Sequence, residues 1–496
     1  MSGQSWTVLD WGGWGVFAGQ RPSGVHERPA ASTVVDARAV DLLLIADVSR
    51  AAVTCDRNAM DAGARRARTD PPSVLRSSYV WEISCPKVAT GGGVVDPRDN
   101  PYTPGAGTVP PALAGREAEL ERFDVLLDRL WRGHTAQSQI VTGLRGVGKT
   151  VLLNRFRELA EERDWITVEA EIESSTELGP LMARLCRRSL YSIDAPKRWG
   201  ARARRAAEVL KSFTLTVDPT GTLTIGADIE AAHGRADSGL LSDDLTDLFV
   251  ELGEAAKEKH TGVLFLLDEI QFLSKSDLAA LILALHKTTQ RQLPITLVAA
   301  GLPQIPKLAG EAKSYAERLF IFPKIGRLPA QAAARALEEP AADQGVAMDE
   351  DAVSVAVQFT EGYPYFLQEL GSAVWEIAED NHVTVEDMRT ALPVVQRKLE
   401  DSFFLVRVER CTELELAYMR AMAELGPGPQ KSGEVATTLG YSKSEELGPT
   451  RANLINKGLI YTPSHGLAEF TVPQFDQFLR RHMDLETRTP RRQAKR

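Results

Sequence analysis

Several things are scarce in this 496-residue chain, and each scarcity excludes a class of protein. No apolar run approaches the roughly 18–20 residues that a membrane span needs. The longest stretches, Val40–Val48 and Val263–Leu267, are far too short. The N-terminus, Met1-Ser2-Gly3-Gln4, lacks the basic-then-apolar order of a secretory signal. Cysteine is limited to Cys55, Cys85, Cys186 and Cys411, scattered without a CxxC or a paired histidine. That argues against a disulfide framework or a zinc site, and for idle thiols in a reducing cytoplasm. Basic residues are not in excess either: the net charge is −9. A nucleic-acid footprint spread over the whole chain is excluded, and any such surface must be local.

What remains is ordinary globular composition, 43% hydrophobic and 25% charged. The length leaves room for about three domains. Residues 1–95 show no sustained period of 3.6 or 2, and glycine, proline and alanine interrupt every candidate element. Their basic residues are arginines apart from Lys87. This stretch is expected to be a disordered extension, or an upstream segment that the natural protein lacks. In the second case Gly91-Gly92-Gly93 and Val94-Val95 reflect a ribosome-binding sequence and a GTG start. Residues 96–112, rich in proline and glycine, read as a linker.

Order begins at Leu113–Trp131, where glutamates interleave with Leu120, Phe123, Leu126, Leu127 and Leu130 as on an amphipathic helix. Strands and helices then alternate. Strands are predicted at Gln139–Thr142, Trp165–Ile172, Gly262–Leu267 and Ile295–Ala299. Helices are predicted at Val151–Arg163, Leu178–Ser189, Asp243–His260 and Lys275–Arg291. Ser212–Val217 and Thr222–Ile225 flank Asp218-Pro219-Thr220-Gly221 and read as a β-hairpin. The alternation predicts an α/β fold with a parallel sheet covered by helices over 113–326. After Gly326 the strands stop. Ala330–Leu337, Asp349–Thr360, Tyr363–Ala378 and Thr384–Ser402 read as a separate helical unit, 327–404, with Thr384 as an N-cap.

Gly143-Leu144-Arg145-Gly146-Val147-Gly148-Lys149-Thr150 fits G-x-x-x-x-G-K-[ST], between a strand and a helix. Glycines let backbone N–H groups turn around phosphate oxygens, and the helix N-terminus adds positive charge. Lys149 is expected at the β- and γ-phosphates of ATP, and the Thr150 hydroxyl on Mg²⁺. The apolar run Val263–Leu267 ends in Asp268-Glu269. A buried parallel strand carries both acids to its C-terminal end, beside the phosphate loop. Asp268 then serves Mg²⁺, and Glu269 is the candidate general base for water.

With these motifs the chain resembles AAA+ P-loop ATPases, in particular the origin-recognition-like and archaeal-type group bordering the STAND switch ATPases. Gly115-Arg116-Glu117-Ala118-Glu119-Leu120 is similar to the GRExEL signature of such modules, which implies that Gly115 and Arg116 lie near the adenine. Ile295–Ala300 resembles the sensor strand, yet Ala299-Ala300-Gly301 stands where relatives carry a polar side chain. The resemblance makes Arg318 a candidate arginine finger. It also makes Glu361-Gly362-Tyr363-Pro364 a GxP motif whose Pro364 packs near nucleotide; a lid arginine is not evident there.

The C-terminal region, 405–485, reads as helices at Glu413–Leu425, Lys431–Leu439 and Ser444–Lys457, then short strands at Leu459–Thr462 and Glu469–Val472. That is the order of a winged helix. The third helix then offers Thr450, Arg451, Asn453, Asn456 and Lys457 to bases of double-stranded DNA. His465 in the wing and the basic tail 486–496 offer phosphate contacts. Residues 401–496 carry only a small basic excess, so docking of a protein partner is the competing use. The expected activity is ATP hydrolysis that repositions this module. The alternative is a scaffold that binds ATP or ADP with little turnover. An oligomer is compatible with both.

Overall fold

The computed structural model describes residues 96–483, apart from 106, 109, 111 and 219–228. The readings of residues 1–95, of the strand at Thr222–Ile225 and of the basic tail lie outside the described residues. The described residues all belong to the unit Lys87–Arg496. Among them, no helix is long and apolar enough to cross a membrane.

Five parallel strands form the central sheet: β1 (Ser138–Thr142), β2 (Ile166–Glu171), β3 (Val263–Asp268), β4 (Ile295–Gly301) and β5 (Phe320–Ile321), in the order β2-β3-β4-β1-β5. The inner strands are buried on both faces, which explains the apolar runs Val263–Leu267 and Leu297–Ala300 and the short Ile140-Val141. Their residues still divide by alternation. Val141, Leu264, Leu266, Val298 and Ala300 join one core; Ile140, Val263, Phe265, Leu267, Leu297 and Ala299 join the other. Register pairs Thr142 with Gly301 and Leu267 with Ala299, so the C-terminal ends of β1, β3 and β4 open at one edge.

Helices α1 (Glu117–Trp131) and α2 (Lys149–Glu161) cover the first face. Helices α3 (Leu178–Ile193), α4 (Ala201–Val217), α5 (Leu241–Glu258), α6 (Lys275–Gln290), α7 (Ile305–Ala312) and α8 (Ala316–Leu319) cover the second. The expected hairpin strand at Ser212–Val217 is instead the end of α4. Ala203, Ala206, Ala207, Leu210 and Phe213 recur at helical spacing and are all buried. The hydroxyls of Thr214 and Thr216 donate to the carbonyls four residues back, at 2.7 and 3.1 Å, which accommodates β-branched residues in a helix.

Helices α9 (Ala330–Asp343), α10 (Glu350–Thr360), α11 (Pro364–Ile377) and α12 (Val385–Lys398) form the next unit. Thr384 caps α12 in a capping box with Asp387, as its position in the sequence suggests. The strands do not wholly stop there: β6 (Ala347–Met348) pairs with β7 (His382–Val383). A wide π-helical turn, Leu399–Phe404, leads into the short α13 (Leu405–Val408).

The last region holds α14 (Glu413–Glu424), α15 (Ser432–Thr438) and α16 (Gly448–Asn456). A small antiparallel sheet follows the order β8-β10-β9, from β8 (Gln430–Lys431), β9 (Ile460–Tyr461) and β10 (Leu467–Phe470); α17 (Phe475–His482) closes the region. Helix α16 starts later than the expected Ser444, because Pro449 occupies its first turn and Ser444–Leu447 is a 3₁₀ turn. One hydrophobic core runs from the first sheet face through α9–α12 to α14 and α17.

Candidate nucleotide site

The phosphate loop turns where its glycines allow. Gly146 (φ 75°) and Gly148 (φ 90°) are left-handed, and Gly148 is the N-cap of α2. Gly143 meets a different demand: a Cβ there would lie 2.6 Å from the Ile325 carbonyl. Lys149 is buried, and its ammonium donates to the Leu144 carbonyl at 2.9 Å. Burial pulls its pKa down; Glu269 and Asp268 oppose the shift, and Arg145 adds to it. The Thr150 hydroxyl donates to Asp268 Oδ2 at 2.5 Å, so the two residues expected to serve Mg²⁺ already touch.

Glu269 has a left-handed backbone, φ 54°, and its N–H donates to Asp268 Oδ1 at 2.7 Å. Its carboxylate accepts a hydrogen bond from the Gln271 side-chain amide. Ala299 and Ala300 are fully buried in the two cores, so β4 brings no polar side chain to this edge.

A cavity of about 450 Å³ lies over the loop, a size suited to a nucleotide-like ligand. Among the described residues, Arg116, Arg145, Lys149 and Arg407 line it, against a single carboxylate, Glu269. Leu113, Leu328, Ala336 and Leu367 form an apolar end. Linker residues such as Thr103 and Thr108 cover it, and Pro364 contributes from the start of α11.

Arg116 is a tie as well as a wall. Its guanidinium donates to the carbonyls of Val147 (3.1 Å) and Gly326 (2.7 Å), joining α1 to the loop and to the hinge before the lid. Gly115 does not line the cavity; its Cα packs against α9, where a Cβ would meet Ala332 at 2.9 Å. At the hinge, Leu328 N–H donates to Gly362 O at 2.7 Å, and a Cβ on Gly362 would lie 2.3 Å from Leu328 O. Gly362, at φ 70°, therefore has no substitute. Tyr365 N–H donates to Gly146 O at 3.3 Å, which seats α11 on the phosphate loop.

Two cavity residues escape sequence reasoning. Phe403 comes from the π-helical turn after α12 and Arg407 from α13, and the guanidinium of Arg407 sits 3.9 Å over the Phe403 ring. Burial, then the nearby Arg145, lower the Arg407 pKa to about 10. Neither arginine forms an ion pair with a carboxylate among the described residues, and Arg145 Nε is buried without a partner. A Cβ on Gly458, just past α16, would lie 2.5 Å from Arg145 Nη2. The C-terminal region thus touches the phosphate loop itself. No local pattern announces this, since residues 145, 407 and 458 meet only through the fold.

The remaining sequence candidates lie elsewhere. Arg318 is exposed in a separate cleft beside β5, with Arg122 and Arg129. Thr450 is buried. Arg451 donates to Thr462 Oγ1 (2.7 Å) and Leu467 O (2.8 Å), bracing the β9–β10 hairpin. Lys457 pairs with the buried Glu415 at 2.6 Å. Asn453, Asn456 and His465 are exposed.

A parallel sheet carrying a phosphate loop at the end of β1 and two acids at the end of β3 defines a P-loop nucleotide-binding fold of the AAA+ kind. Residues 112–298 match the family described as AAA ATPase domain, so the chain carries an AAA ATPase domain over that stretch. Residues 401–479 match a domain of unknown function, DUF8462. No curated protein matches the chain. Among solved structures it is similar to the ORC2 protein of Aeropyrum pernix in ADPNP–ADP complexes, at 17% identity, 76% of this chain, 96% of that one and a TM-score of 0.46. It is also similar to the ORC1 protein of the same organism in complex with DNA, at 18% identity, 75% of this chain, 94% of that one and a TM-score of 0.36. A Walker-type ATPase of Pyrococcus abyssi is similar at 15% identity, with 74% and 96% covered and a TM-score of 0.43.

Proposed function

We propose that this chain binds ATP with Mg²⁺, hydrolyses it, and uses the cycle to reposition a C-terminal winged-helix module associated with DNA. The observation that carries the reading is the cavity wall: among the described residues, four cations from the phosphate loop, the start of α2, the cap of α1 and α13, and one carboxylate from the end of β3. Such a wall suits a polyphosphate with a reacting water.

Lys149, poorly solvated and bonded only to a loop carbonyl, supplies counter-charge to the β- and γ-phosphates. Thr150 and Asp268 fit Mg²⁺, a hydroxyl and a carboxylate in contact being the oxygen donors this ion takes. When bound, Mg²⁺ neutralises charge on the phosphate oxygens. Glu269 accepts a proton from the water that attacks the γ-phosphorus, while the bond to the ADP oxygen breaks, giving ADP and phosphate.

The switch reading rests on the contacts that cross from loop to module. Tyr365 and Gly458 both lean on the phosphate loop, and Arg407 adds a guanidinium. Aromatic rings continue inward: Tyr363 to Phe366 at 4.9 Å, Phe366 to Phe404 at 6.4 Å, Phe404 to Phe478 on α17 at 5.2 Å. Nucleotide that binds the closed arrangement better than the open one shifts the population toward it.

Three helices and a small antiparallel sheet support the winged-helix assignment. Asn453 and Asn456 on α16 are its free readers. A second use, docking a protein, is favoured by one observation: Arg451 and Lys457 spend their donors inside the module. Turnover with and without duplex DNA separates the two. DNA-stimulated hydrolysis that disappears in Glu269→Gln supports the DNA-coupled ATPase. Tight nucleotide binding without turnover, indifferent to DNA, supports the scaffold.

A further inference from the structure

The edge of the sheet beside Glu269 has an unusual construction. Strand β4 ends in Ala299-Ala300-Gly301, with nothing polar to offer. The space above Gly301 is filled from the neighbouring strand. Gln271, in the turn after β3, places its amide there: Oε1 accepts from Leu302 N–H at 3.1 Å while Nε2 donates to Glu269. The fit requires glycine at 301. A Cβ there would lie 2.7 Å from Gln271 Oε1, with Ile305 and Ile270 at 3.1 and 3.2 Å on its other sides.

The chemistry selects a carboxamide. It donates to a carboxylate and accepts from a backbone N–H at once, which neither an ionised carboxylate nor an apolar side chain of the same size does. Glu269 needs such a hold. Its backbone is left-handed, a conformation that persists in a non-glycine residue only when surroundings over-determine it. Gln271 engages one carboxylate oxygen of Glu269, and Glu269 lines the cavity.

We propose that Gln271 is the positioning residue for Glu269, supplying from the β3 turn the polar group that β4 lacks. This rests on the hydrolysis reading above. It acts on the reacting water only through Glu269, so its loss lowers the chemical step and spares nucleotide binding.

The test measures kcat and ATP affinity for the full chain and for Glu269→Gln, Gln271→Ala, Gln271→Glu and the double variant Glu269→Gln/Gln271→Ala. Both Gln271 variants are expected to lose about 10–100-fold in kcat, the usual worth of a group that orients an active side chain, at unchanged affinity. Gln271→Glu keeps the shape and loses the donor, so it separates the hydrogen bond from packing. The double variant is expected to turn over no more slowly than Glu269→Gln alone, because nothing remains to be positioned. Full kcat in Gln271→Ala, with Glu269→Gln impaired, overturns the positioning role and leaves the hydrolysis reading standing. A double variant that loses a further factor also overturns it. Full turnover in Glu269→Gln overturns the hydrolysis reading, and the role of Gln271 with it.

Discussion

The phosphate loop and helix α16 are both stretches whose polar residues point to a ligand, yet the fold treats them differently. In the loop, Arg145, Gly146, Gly148, Lys149 and Thr150 all line one cavity. Among the described candidates at α16, Thr450 is buried, Arg451 braces a hairpin, the exposed Lys457 pairs with Glu415, and only Asn453 and Asn456 are exposed without a side-chain partner. The loop's function lies in its backbone, whose glycine spacing dictates the curve and hence where side chains go. The helix presents its side chains around a cylinder, and neighbours decide which remain free. A motif that prescribes backbone shape is therefore a safer guide than one that names polar residues on a helix.

The largest test of that contrast is Lys149→Ala. It removes the buried counter-charge and is expected to abolish ATP binding, measured by calorimetry; unchanged affinity would remove the loop from the site. Next is Arg407→Ala, which tests whether the C-terminal region completes the cavity. Losing one charge-assisted contact is expected to weaken ATP binding about tenfold or more, and equilibrium binding checks it. Wild-type affinity would confine the site to the loop and lid.

A smaller effect is expected for Arg451→Ala. If its donors are structural, the variant loses about 1–3 kcal/mol of stability, seen in denaturant unfolding. A variant of native stability that loses DNA binding would return Arg451 to the readers. The smallest effect concerns Glu117, whose hydrogen bond from Arg335 ties the GRExEL segment to lid helix α9 and holds its pKa at about 2, against an ordinary 4.5. A carboxylate depressed on folding stabilises above its unfolded pKa. The pair should therefore help above pH 4.5 and lose its effect as pH falls toward 2. Both partners are largely exposed, so the gain is slight and screened by salt. Unfolding of wild type and Glu117→Gln compared across that range checks it; a gap that persists at low pH assigns the effect to something else.

Much of the core was legible. Strands β3 and β4 hold short apolar runs bounded by glycine, proline or charge, and their burial on both faces makes the run itself the signal; β1, with only Ile140-Val141 apolar, is marked by the glycine loop that follows it. No helix is predicted from the sequence over α4, and its end reads as a strand, because Thr214 and Thr216 alternate with apolar residues while their hydroxyls bond back into the helix. Strand β5, two residues long, is too short to show a period.

The sequence by itself determined what local backbone chemistry governs. That includes the loop at Gly143–Thr150, the acids at the end of β3, the cap at Thr384 and the absence of a polar side chain at Ala299–Gly301. Only tertiary structure decided what fills that absence and what closes the cavity. Gln271 reaches the end of β4 because β3 and β4 pair in register, and Arg407 meets Arg145 because one continuous core folds the C-terminal region onto the sheet. The reason is range: a turn or a cap is settled within a few residues, whereas a contact spanning 262 positions depends on packing that no local pattern records.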